Sequence, residues 1–183
     1  VTDMAGLDGF AAKLDPPMYV VTATAPDGER AGCLVGFASQ SSIDPPRFVV
    51  WLSRANHTYR VACRASHLTV HLLDPEHHGT ARLFGEETGD AVDKFARVDW
   101  RPGEAGSPVL ADSPGWFTGR VEARLDGGDH VGFLLAPVAE GPTEEPTGEP
   151  TEDPAEKPGS PDARRPRLFL LSDAASFSPG HPA

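Results

Sequence analysis

The sequence predicts a mainly β fold, an antiparallel barrel with short peripheral helices. Three observations predict it. Runs of β-branched and apolar residues recur along the chain, and they come mainly as hairpins joined by Gly, Pro and Asp turns. Few of the strand–helix–strand repeats that build a parallel sheet intervene. About seven strands and three short helices are expected in 183 residues, a length that suits one domain with a sizeable core.

Residues 1–17 are a lead-in with room for a short helix before Pro16-Pro17. "MYVVTATA" (18–25) predicts the first strand and "PDGE" the turn after it. "AGCLVGFA" (31–38) predicts the return strand of that hairpin. "GFASQSS" (36–42) reads as a turn of small residues. "RFVVWLS" (47–53) is an almost unbroken apolar run and predicts a central strand buried on both faces. Asn56 can cap a helix through about Ala65, because its side-chain oxygen can accept from the first free N–H groups. "LTVHLLD" (68–74) predicts a strand. Asp74-Pro75 then opens a short helix to about Phe84, with a break expected at Gly79. "GDAVDKFA" (89–96) predicts another short helix, capped by Asp90.

The clearest hairpin lies at 116–138. Val121, Ala123 and Leu125 alternate with Arg120, Glu122 and Arg124, as in a strand with one wet face. Gly127-Gly128 is the expected two-residue turn, and the return strand covers 131–138. Composition then changes. From 140 to 166 proline recurs about every fourth residue among Glu, Thr and Gly, a composition expected to stay disordered. "RLFLLS" (167–172) is expected to resume a strand, which makes 140–166 an insert. The domain is therefore expected to comprise 1–139 plus 167–183, with the insert a solvated spacer.

The formal net charge of −11 argues against a nucleic-acid partner. Residues 140–158 carry −6 of it, leaving an ordinary balance elsewhere. No apolar run approaches the ~20 residues that span a bilayer, and no basic, then apolar, leader opens the chain. Cys33 and Cys63 stand far apart in apolar surroundings, as reduced thiols of a cytoplasmic protein would. The phosphate-cradling and nucleophile-elbow motifs are missing. Glu76-His77-His78, with His67 and His71, does not match the spacing of a helical zinc site, so no metal is expected.

The stretch around 32–58 carries the chemistry. Gly32, then Ser39 and Ser42 in the small-residue turn, then Asp44-Pro45-Pro46, then an apolar strand, then Arg54 and Thr58, occur in that order. Gly128-Asp129-His130 follow much later. As an ordered set these residues resemble the flavin reductase-like, FMN-binding split-barrel family over roughly 15–138 and the last strand. The resemblance implies a split barrel, a bound FMN with FAD as the alternative, and NAD(P)H as co-substrate. It also implies a homodimer, hydride transfer from nicotinamide to flavin, and a monooxygenase as the consumer of reduced flavin.

The residue types suit that chemistry. Gly36, Phe37, Ala38, Ser39, Gln40, Ser41 and Ser42 can let backbone N–H groups approach the polar edge of an isoalloxazine ring, and Phe37 or Trp51 can pack near it. Arg54 supplies a forked cation for a phosphate, beside the helix start at Asn56, His57 and Thr58. His130 is the candidate catalytic residue, near where the family docks its nicotinamide donor. Leu34, Gly36, Gln40 and Ala55 depart from the family pattern. Those departures keep open a second reading, a flavin-binding or redox-carrier protein without turnover, and a deazaflavin or haem-oxygenase relative on the same barrel.

Overall fold

The computed structural model describes residues 7–141 and 167–180. A four-residue helix α1 (Asp8–Ala11) leads in. The strands are β1 (Tyr19–Thr24), β2 (Arg30–Val35), β3 (Ala38–Ser42), β4 (Arg47–Ser53) and β5 (His67–Leu72). They continue as β6 (Trp100–Pro102), β7 (Pro108–Leu110), β8 (Trp116–Asp126) and β9 (His130–Gly141). Helix α2 (His57–Ala62) follows β4, and α3 (His78–Glu86) follows β5.

Seven strands form one antiparallel sheet in the order β2-β1-β5-β8-β9-β4-β3. β2 and β3 sit at its opposite edges, yet only Gly36 and Phe37 separate them in sequence. Laid flat, six strand spacings would hold those edges about 29 Å apart. Three peptide steps reach only about 11 Å. The sheet must therefore roll until its edges meet at this link. The edges share no ladder, so the barrel is split, as expected.

Val21, Val50, Leu52, Leu68, Phe133 and Leu135 fill its interior. A second core lies outside the sheet, where Met18, Val20, Leu73, Phe84, Phe95 and Phe169 pack around α3. Phe169 returns the chain to this core after the acidic stretch, but not as the expected strand. Leu170 makes a single bridge to Pro17, and Leu171–Ala174 is a 3₁₀ turn. β9 runs on to Gly141; the rest of the acidic segment, 142–166, lies outside the described residues.

Five further expectations need correction. The turn at 36–42 is mostly a strand: β3 pairs with β4, with a register shift between Gln40 and Ser42. β4 is next to the edge rather than central, although Val49 and Val50 are buried on its two faces. The helix expected at 89–96 is a 3₁₀ turn, Lys94–Arg97, capped by Asp93 rather than Asp90. Pro75–His77 forms a 3₁₀ turn that runs into α3 through Gly79 without a break. The alternation along β8 holds only to Val121. There Val121 faces Leu135 while Ala123 faces Leu134, so Glu122 is an extra residue that flips the faces beyond it. Ala123 and Leu125 are exposed as a result, and Arg124 lies over the Phe133 ring instead. The strands β6 and β7 have no sequence signal of their own.

Candidate functional site

The corner where β4 ends brings together Arg54, Asn56, Thr58 and His130, with Phe37 against His130, whereas Ser39–Ser42 run along β4 toward its start at Arg47. β4 delivers Arg54 beside the β8–β9 turn. The Arg54 N–H donates to the Asp129 carbonyl (2.9 Å), and Nε donates to the Gly128 carbonyl (2.7 Å). The guanidinium also pairs with Asp126 at 3.0 Å. Asp126 accepts from the Gly128 N–H as well. That bond first, and Arg54 second, hold its carboxyl below the usual range. Arg54 is thus oriented, but half-exposed and shared with a carboxylate.

The turn is shifted by one residue from the expected Gly127-Gly128 pair. Gly127 N–H donates to the His130 carbonyl (3.0 Å), so Gly128 and Asp129 form the two-residue loop, and of these glycines only Gly128 takes a positive φ, +88° being found instead at Gly28 and +96° here. Gly127 is small for another reason. The Trp51 ring lies against it and against Gly132, and a Cβ would come within 2.5 and 3.0 Å of that ring. Trp51 therefore packs on this turn from the neighbouring strand.

His130 starts β9, opposite Ser53. Its Nδ1 bonds Asp129 at 2.8 Å, and this contact holds the Asp129 carboxyl low. Its ring meets Phe37 edge to face, centroids 5.3 Å apart. Phe37 is 61% exposed, an unusual place for a large apolar ring. The Phe37 carbonyl accepts from the Trp51 N–H (2.9 Å), which fixes the parity of β3. Phe37 and Ser39 bond toward β4; Ala38 and Gln40 turn their N–H and C=O groups to the free edge. Ser39, Gln40 and Ser41 are exposed, Ser42 is half-buried, and the Gln40 amide donates to the Ser42 carbonyl (3.1 Å). Gly36 is small because a Cβ would meet Met18 Sδ at 2.9 Å. Asp44–Pro45, in the turn that follows, is cis.

The helix start is more enclosed. Asn56 caps α2, its side-chain oxygen accepting from the Thr58 N–H (3.0 Å). Thr58 is 1% exposed, and burial pushes up the pKa of the nearby Cys33 thiol. Thr58 thus supports the corner from beneath. His57 points away from Arg54, held between Asp90 (2.9 Å) and Glu29 (3.2 Å). Arg60 also pairs with Asp90, and these contacts, Arg60 first, lower the Asp90 carboxyl to about 2.

His57 forms one wall of a cleft of about 430 Å³ between β2 and residues 89–95. Lys94, at its foot, is 4% exposed; its ammonium donates to the Gly32 (3.0 Å) and Phe84 (3.1 Å) carbonyls. Burial lowers its pKa. Sequence reasoning missed this lysine, since a buried cation leaves no periodic signal. The histidines of the rejected metal reading are scattered. His71 is buried between Val20 and Leu110, while His77 bonds Asp74. Among the described residues no three His, Cys, Asp or Glu side chains are arranged to hold a metal ion, and no helix is long and apolar enough to cross a membrane.

The donor set fits a flavin nucleotide. The edge of β3 alternates N–H and C=O beside small side chains, which suits the alternating polar edge of an isoalloxazine ring. Phe37 and His130 offer a flat, partly apolar surface. Val50, partner of Ala38, and Arg54 stand four residues apart on one strand, about 13 Å. That separation suits a cation at the far end of a ribityl phosphate arm.

Residues 12–151 match the family model described as "Flavin reductase like domain". The chain is 34% identical over 158 residues to the flavin reductase (NADH) of Kitasatospora aureofaciens, covering 85% of this chain and 81% of that protein. It is 32% identical over 100 residues to HsaB, the reductase subunit of a flavin-dependent monooxygenase from Mycobacterium tuberculosis, covering 52% of each. The chain spans only 35% of the length of one Rhizobium meliloti relative, 31% identical over 116 residues. An FMN-binding protein from Thermus thermophilus shares the fold, with a TM-score of 0.70 at 22% identity, over 79% of this chain and 80% of that one.

Proposed function

Because this chain belongs to the flavin reductase like family, we propose that it is an NADH-dependent flavin reductase whose reduced flavin serves a monooxygenase. The observation that supports it most is strand β4, which pairs with a strand of small residues whose outer edge is free and which leads into an oriented arginine. A bound flavin would supply the redox chemistry, accepting a hydride from the nicotinamide. FMN is the proposed cofactor, with FAD as the alternative, and NADPH remains the alternative donor.

The chain's own residues bind and orient. Ala38 and Gln40 offer backbone groups along the β3 edge, with Gly36, Ser39, Ser41 and Ser42 keeping that edge accessible. Arg54 meets the phosphate, giving up part of its contact with Asp126. Asn56 and Thr58 hold the strand-to-helix junction in shape, and His57 closes the corner on the cleft side. His130, steadied by Asp129, orients the nicotinamide against Phe37. No acid or base is required of any of them.

A homodimer belongs to the same proposal. Phe37 (61%), Ile43 (85%) and Leu125 (45%) leave apolar surface at the β3 and β8 side of the barrel, which a two-fold partner can cover. The two unpaired cysteines accord with a cytoplasmic setting.

Titration of the purified chain with FMN and FAD, followed by NADH oxidation, tests the reading. Flavin binding without flavin-dependent NADH oxidation would leave the carrier reading. Arg54→Ala should weaken FMN binding about tenfold, measured by fluorescence quenching; unchanged affinity would remove Arg54 from the site. His130→Ala should raise the NADH KM several-fold and leave flavin affinity alone, whereas a loss confined to flavin affinity would reassign it.

A further inference from the structure

We infer that Asp126 is a specificity-determining residue: by sharing Arg54 it holds down the preference of the corner for the doubly charged phosphate of FMN over the singly charged phosphates of FAD. The inference rests on the flavin reductase reading, with Arg54 as the phosphate contact. The described partners of the Arg54 guanidinium all belong to the protein itself. Nε donates to the Gly128 carbonyl (2.7 Å), one terminal nitrogen reaches the Tyr59 hydroxyl (3.4 Å), and the other pairs with Asp126 Oδ1 (3.0 Å). Of these acceptors only the Asp126 carboxylate carries charge. It is therefore the group with which an incoming phosphate has to share the arginine.

Asp126 is placed to compete. The same Oδ1 accepts from the Gly128 N–H (3.0 Å), so the turn fixes the carboxylate beside the guanidinium. The Gly128 bond first, and Arg54 second, keep the carboxyl ionised at neutral pH. Asp129, the other carboxylate of the turn, is engaged by His130 instead (2.8 Å). Arg54 and Asp126 are both exposed, so their contact loosens without a large penalty and lowers phosphate affinity without blocking the corner. The pull of a cation on a ligand grows with the ligand's charge. A phosphate monoester such as that of FMN carries about two negative charges at pH 7, whereas each phosphate of the FAD pyrophosphate carries one. Sharing Arg54 thus disfavours FMN more than FAD, and leaves riboflavin, which has no phosphate, unaffected.

Asp126→Asn tests this, because Asn keeps the Oδ1 acceptor for the Gly128 N–H and removes the charge. Dissociation constants for FMN, FAD and riboflavin are measured by flavin fluorescence in the wild type and the variant. The variant should bind FMN about fivefold more tightly, FAD about twofold more tightly and riboflavin equally. Asp126→Glu, which returns the charge, should bring the FMN constant back to within about twofold of the wild type. In an Arg54→Ala background the Asn substitution should no longer favour FMN. An FMN affinity that stays the same or falls overturns the inference, and so does an equal gain for all three ligands. A gain that survives Arg54→Ala overturns it as well, since Asp126 would then not act through the arginine. A wild type that binds none of the three would defeat the reductase reading and this inference with it, whereas an unchanged FMN constant in a chain that binds flavin defeats this inference alone.

Discussion

The two ends of β8 use polar groups in opposite ways. At its start, Thr118 lies in a closed network. Thr69 Oγ1 bonds Ser107 Oγ (2.9 Å) and Thr118 Oγ1 (2.8 Å), and Ser107 reaches the Thr22 carbonyl (3.3 Å). His71 completes it, bonding the Val20 carbonyl (3.0 Å) through Nδ1 and accepting from the Leu110 N–H (3.1 Å) through Nε2. These contacts pin the β6–β7 ribbon over the barrel. At the other end of β8, Asp126, Gly128, Asp129 and Arg54 bond one another at the surface, where solvent and ligands can compete. One end consumes its hydrogen-bonding capacity in holding the fold, and the other keeps it available. Buried polar groups are costly to leave unpaired, whereas exposed ones exchange partners cheaply.

The contrast can be broken at several points, with effects of decreasing size. Phe133→Ala, which empties a fully buried site between the two ends, should cost about 3–5 kcal/mol in urea melts. A smaller loss would mean that the barrel interior is less tightly packed than its burial implies. The closed end should respond to pH. Burial lowers the His71 pKa from its ordinary 6.5 to about 4, so its contribution to stability is fully present above pH 6.5. Between pH 6.5 and 4 the unfolded chain takes up a proton that the folded chain refuses. Stability should therefore fall by roughly 3 kcal/mol across that window and level off for this group below it. Urea melts of wild type and His71→Asn at pH 7 and 4.5 should converge, and parallel pH curves would show that His71 does not set the slope. At the open end Gly128→Ala places a side chain at φ +96°, which should cost about 1–2 kcal/mol. Because the Gly128 carbonyl also orients Arg54, the same variant should loosen flavin binding. A stability loss with unaltered flavin affinity would detach the turn from the site.

How much of this was legible follows from the same contrast. The hairpin β1–β2, strand β4, the Asn56 cap and the late hairpin each carry a local signal: β-branched runs, an apolar block, a capping side chain, glycines at a turn. The elements missed are those whose reason is tertiary. β6 and β7 are three residues each and exist because Ser107 and Leu110 find partners on β1 and β5. The small residues of β3 look like a turn, since serine and glycine have little strand propensity; pairing with β4 makes them a strand. The extra residue at Glu122 inverts a face that alternation alone had assigned. Within the site, Arg54 and His130 could be picked from order along the chain. Asp126, which restrains Arg54, and Lys94, buried under the cleft, are partners across 72 and 62 positions of sequence.

Phe37 sits on the two-residue link that joins the opposite edges of the rolled sheet. A molecule lodged there would act as a rivet across the seam, since the edges are stitched by no ladder of their own. Its occupancy would then be felt as resistance to unrolling, growing with the logarithm of its concentration once the seat is filled. Opening of the seam and release of the cargo would be one event.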